Sequence, residues 1–152
     1  VSVGIRDLLD AVVSEAQRLG VFDRFAQHEP KSAPGQGLTW ACWVQRVDPI
    51  RGSGLDSTSA RIVFTIRLYS SWSEEPVDEI DPTMIEAADL LTAAYCGNFT
   101  LDIAEVRMVD IKGAYDIPLA WEAGYLNVGG GMYRILDITL PLVINDVWTE
   151  AP

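Results

Sequence analysis

The chain has 152 residues, about half of them hydrophobic, and sets 22 acidic side chains against 11 basic ones for a formal net charge of −11. That length allows one domain with a real core, and the composition excludes disorder. So acidic a balance argues against a protein that grips nucleic acid through its phosphates, and no apolar run approaches the ~20 residues that span a bilayer.

The opening VSVGIRDLLDAVV lacks the basic start and small-residue cleavage site of a secretory signal, so the chain is expected to be intracellular when made. A first helix is predicted over Val3 to Leu19, where Ile5, Leu8, Leu9, Val12, Val13, Ala16 and Leu19 recur at three- and four-residue steps. Ser2 is placed to cap its start, and Gly20 to end it. The stretch HEPKSAPGQG, His28 to Gly37, must be a loop.

Strand one is predicted over Leu38 to Val47. Its Trp40 and Trp43 stand three apart and so point to opposite faces. Asp48 to Ser59 (DPIRGSGLDSTS) is longer than a tight hairpin needs and reads as a long loop, either an insertion or a contact arm. The most secure strand is ARIVFTIRLYS, Ala60 to Ser70, with Ala60, Ile62, Phe64, Ile66 and Leu68 on one face.

After an acidic connector, Asp81-Pro82 opens a second helix, with Asp81 as its expected cap. Met84, Ile85, Ala88, Leu91 and Tyr95 form its apolar stripe. A third strand is predicted across Ala104 to Lys112. Gly113 to Gly131 reads as irregular, its last three glycines as a turn, and Met132 to Ile144 as the final strand. Pro141 suggests that this strand's far end lies at a sheet edge or past the sheet.

The expectation is a single α+β domain spanning residues 1–152, in the order α-β-β-α-β-β. Two helices pack on one face of a four-stranded, mainly antiparallel sheet, with the long loop between strands one and two. On the other face Trp43, Val63, Tyr69, Tyr133, Ile135 and Val143 mix with Arg61, Arg67, Asp137 and Thr139. That is more apolar than a solvated face usually is. It predicts either an assembly surface or a third layer formed by the Gly113–Gly131 segment.

No catalytic chemistry is legible. His28, the only histidine, has no partner at zincin spacing, and the acidic cluster Glu74 to Asp81 does not follow a calcium-loop pattern. Cys42 and Cys96 stand outside any metal-ligand spacing and read as buried thiols. Neither an enzyme activity, a cofactor nor a metal is expected.

The segments GIRDLLDAVVSEAQRLGVFDRF (Gly4 to Phe25), HEPKSAPGQGLTWACWV (His28 to Val44), RGSGLDSTSARIVFTIRLYS (Arg51 to Ser70), DPTMIEAADLLTAAY (Asp81 to Tyr95) and MYRILDITLPLVINDVW (Met132 to Trp148) cover most of the chain. Together the sequence resembles the tail terminator proteins of long-tailed, siphovirus-like actinobacteriophages. The resemblance lies in overall pattern rather than in one chemical motif. It implies a structural virion protein, assembled in the host cytoplasm into a hexameric ring at the head-proximal end of the tail. Such a ring stops growth of the tail tube, docks the head-completion (stopper) protein, and lets genomic DNA pass through its lumen.

With that resemblance, the Asp48–Ser59 arm and the Gly113–Gly131 segment are the expected contact elements. Trp43, Arg51, Leu55, Arg61, Arg67, Trp72, Trp121 and Tyr125 are the candidate interface residues. Two other readings stay open: a tail-tube or neck stopper subunit, and a cytosolic small-ligand-binding α+β domain using the acidic cluster.

Overall fold

The structure, a computed structural model, describes residues 3–52 and 55–149. Helix α1 runs over Ile5–Leu19 between Gly4 and Gly20, both in the left-handed conformation. The predicted cap Ser2 and the loop residue Gly54 lie outside the described residues. Strand β1 (Arg24–Ala26) follows, then β2 (Leu38–Arg51) and β3 (Ser57–Ser71). Helix α2 (Ile80–Gly97) begins directly after a single 3-10 turn, Val77–Glu79. Asp81 is therefore inside the helix's first turn, not its cap. Strands β4 (Val106–Val109), β5 (Ala120–Val128) and β6 (Gly131–Thr149) complete the chain.

The sheet corrects the sequence expectation. It has six strands rather than four, in the order β1-β2-β3-β6-β4 with β5 also on β6, and it curls into a half-barrel. It is mixed, because β1 pairs parallel to β2. The α-β-β-α-β-β order fails for two reasons. At three residues, β1 is too short to show a period. The segment expected to be irregular contains β5, whose Ala120, Ala123 and Gly124 dilute its alternation.

The long loop between strands one and two is also overturned. Asp48 to Arg51 pair with Arg61 to Thr58 as a continuing hairpin, leaving Gly52 to Asp56 as the connection. Asp48 looked like a strand breaker, but its carboxylate takes the Arg61 guanidinium from the neighbouring strand. Pro49 is tolerated because β2 is here an outer strand.

Pro141 lies well inside β6, opposite Val63 of β3. Its carbonyl accepts from the Asp110 N–H at 2.9 Å, so its missing N–H points to the same flank. There β6 changes partner from β5, paired as far as Thr139, to β4, paired from Leu142. A residue without a donor fits that gap.

The core lies between the helices and one face of the sheet. Leu8, Val12 and Ala16 of α1 and Met84, Ala88, Leu91 and Tyr95 of α2 pack on Trp40, Phe64, Ile66, Leu68, Ile138 and Leu140. The Tyr95 hydroxyl donates to the Val12 carbonyl at 3.1 Å and ties the helices together. No helix among the described residues is long and apolar enough to cross a membrane.

Burial gives this core an alkaline limit. It pushes the Cys42 thiol far above its ordinary value of 9.0, and the Tyr95 hydroxyl well above 10.0. The unfolded chain releases these protons first, so stability is intact below about pH 9 and falls as pH rises beyond it. The loss reaches about 1.4 kcal/mol per pH unit for each group. Urea midpoints measured from about pH 8 to pH 11 should fall, and the slope should flatten in Cys42→Ala and Tyr95→Phe. An equal slope in both variants would exclude these groups as the cause. Cys96, by contrast with the sequence reading, is exposed.

Candidate functional site

The face of the sheet away from the helices is largely buried. Ala41, Tyr69, Tyr133 and Ile135 form a second apolar cluster, with Trp43, Leu126 and Val128 at its margin. The His28–Gly37 loop reaches it, and the Gly35 N–H donates to the Tyr133 hydroxyl at 3.0 Å. At the other end the turn after β4 presents the Tyr115 carbonyl to Arg61. The Gly113–Gly131 segment therefore does not form a third layer. Part of it braces this face, and the rest enters the sheet as β5.

The candidate residues separate into three groups. Arg61 and Arg67 are internal braces. Arg61 is buried, with both Asp48 carboxylate oxygens and the Tyr115 carbonyl around its guanidinium. Arg67 donates to Asp137 at 2.6 and 3.2 Å, and its guanidinium lies 5.2 Å from the centre of the half-buried Trp43 ring. The Asp137 hydrogen bond pushes Arg67 still further above the range in which arginine loses its proton.

Arg51 and Leu55 sit at the far end of the β2–β3 hairpin. Arg51 is exposed as the last residue of β2, and the Leu55 side chain is wholly in solvent. The end of the hairpin, where Thr149 of β6 still pairs with Ser57, thus carries an apolar residue at its tip.

Trp72, Trp121 and Tyr125 collect at β5. Trp72 and Tyr125 meet edge-on, 5.2 Å between ring centres. The Arg134 guanidinium lies 4.4 Å over the Tyr125 ring while donating to Asp81 at 2.9 Å. That carboxylate pushes Arg134 upward as well. Trp121 donates its ring N–H to the Thr92 hydroxyl at 3.0 Å. The rings are still open to solvent, Tyr125 by 57% and Trp72 by 47%. An aromatic pair left this exposed, with a cation already stacked on it, is the composition of a protein contact rather than of a solvated surface.

Sequence reasoning missed Arg134, which stacks on Tyr125, and the exposed Ile85, Met132, Val44 and Val47. Arg134 and Tyr125 became neighbours only through the pairing of β5 with β6. The signal for that pairing was present: Gly129 and Gly130 form a two-residue turn with φ of 58° and 83°, the requirement of a tight hairpin.

The acidic cluster borders a cleft of about 210 Å³ that includes Asp23, Gly37, Leu38, Glu74, Glu79 and Thr83. Two of its carboxylates are occupied, Asp23 by the Leu38 N–H at 2.7 Å and Glu74 by the Gly37 N–H. Among the described residues no three His, Cys, Asp or Glu side chains are grouped to hold a metal.

No protein-family model matches the chain, and no curated protein matches it. Among solved structures it is similar to a chain of the virion of a native gene transfer agent particle, with 16% identity and a TM-score of 0.49, covering 95% of this chain and all of that one. A second solved chain is 14% identical with a TM-score of 0.44, covering 92% of this chain and 95% of that one. At these scores neither match carries function over.

Proposed function

We propose that the chain is a structural virion protein that acts as a tail terminator, not an enzyme. Copies form a ring, six by the resemblance, on the head-proximal end of the tail tube. The ring ends tube growth sterically and offers its other side to the head-completion protein. The surplus of acid side chains keeps passing DNA from sticking, because like charge repels the phosphates.

The observation that carries this reading is the pairing of unused surfaces on one chain. The aromatic group at β5 and the arm ending in Leu55 both stand in solvent, at separate places. Two different contact surfaces suit a subunit that must hold both its own copies and another structure.

The test is removal of this chain from the particle that carries it. Electron microscopy should show tails of uncontrolled length, unattached to filled heads. Tails of normal length joined to heads would overturn the reading. Tails absent altogether would favour a tube subunit instead.

A further inference from the structure

The sheet leaves several edges open, two of them long. Beyond Ala41, where β1 stops, the outer edge of β2 pairs with no strand among the described residues, and neither does the outer edge of β5. Edges left open are templates for another strand, and natural proteins blunt them with charge, proline or bulges. The β2 edge has such devices: Arg46, Pro49 and a bulge between Val44 and Arg46. The β5 edge has a single charge, Glu122, and no proline in its nine residues.

We infer that the β5 edge receives the outer edge of β2 from a second copy of this chain, running antiparallel. The match is specific to each face. Trp121 and Tyr125 lie on the helix side of β5, in register with Ile138 and Arg134. Val44 and Val47 lie on the helix side of β2, in register with Phe64 and Ile62. Glu122 lies on the other face, beside Asp137, and Arg46 lies on that same face, beside Val63. A copy added with its helices on the same side therefore places valines against the aromatic rings and Arg46 near Glu122.

Direction agrees as well. Successive strands β2, β3, β6 and β5 alternate in direction, so a following β2 runs antiparallel to β5 without being turned over. Each copy then uses one edge to receive and the other to give. Such head-to-tail contact closes into a ring when the rotation between copies divides a full turn. Pro49 withdraws at most one donor from the pairing.

The pairing rests on the ring reading above, and its test separates the two. Sedimentation of the full chain is compared for wild type, Arg46→Glu, Glu122→Lys and the double variant. Glu122→Lys should keep the wild-type thermal midpoint, since that position is exposed, whereas Arg46→Glu gives up a 3.7 Å contact with Asp48 and should lower the midpoint slightly, equally in the double variant. Each single reversal should weaken self-association by about tenfold, and the double variant should return to within about threefold of wild type. Equal association of all four overturns the edge pairing but leaves a ring built on other surfaces. A wild type that is monomeric at on the order of 1 mM also overturns it, while the tail-length experiment still decides the terminator reading. Single variants that fall without rescue in the double overturn the Arg46–Glu122 match.

Discussion

Tails assembled with a chain whose hairpin tip is cut back are expected to run past their normal length and to remain unjoined to heads, although the variant folds. The replacement is Asn-Gly for Gly52 to Ser57. It keeps the Arg51–Thr58 pairing and supplies the two-residue turn that such a hairpin favours. The structural loss is small. Removing Ser57 gives up its 3.0 Å bond to Asp146 and its pairing with Thr149 at the end of β6, a cost of about 1–2 kcal/mol in a urea melt. The functional loss is large because Leu55, wholly exposed at the tip, is removed with the reach of the arm. Leu55→Asp in the full-length arm should reproduce much of the defect without shortening anything. Head-joined tails of normal length from both variants would remove the arm from the capping contact.

The same arm shows what could and could not be read from the residues. Ala60 to Ser70 was legible as a strand because one face is aliphatic at every second position, and those side chains do line the core. Asp48 to Ser59 was not, because the strand continues there on partners distant in sequence. Ser59 accepts from the Asp146 N–H at 2.9 Å and from Arg107 at 3.2 Å, and Asp48 is met by Arg61. Polar residues with a supplied partner stay in a ladder that propensity alone denies them.

The candidate site was legible as residue types rather than as a place. Large aromatic side chains in an acidic chain without chemistry invite an interface reading, and Trp72, Trp121 and Tyr125 are all solvent-facing. Nothing in their spacing reveals that Trp72 and Tyr125 touch. Their meeting depends on the Trp72 N–H reaching the Met132 carbonyl at 3.1 Å, and on β5 folding back over the Gly129-Gly130 turn. Strands that are short, like β1, or of mixed composition, like β5, gain their stability from the neighbour they pair with, so their own pattern carries little signal.

Arg61 supplies the second large expected effect. Its position on an alternating strand, with Val63 and Arg67 on the same face, suggested a surface cation for a partner. In the folded chain its guanidinium instead joins β2, β3 and the turn before β5 through Asp48 and Tyr115. Arg61→Ala would leave the partly buried Asp48 carboxylate with only the 3.7 Å contact of the exposed Arg46, and the Tyr115 carbonyl without its donor, and is expected to cost about 3 kcal/mol. Arg61→Lys should recover only part of that, since an ammonium cannot bind both carboxylate oxygens and reach Tyr115 in one plane. The double variant Arg61→Leu with Asp48→Leu should be more stable than Arg61→Ala, because no charge is then stranded. Chemical denaturation of the three variants checks this order. If Arg61→Ala melts like wild type yet no longer assembles, the residue belongs to the interface after all, and the brace assigned to it is wrong.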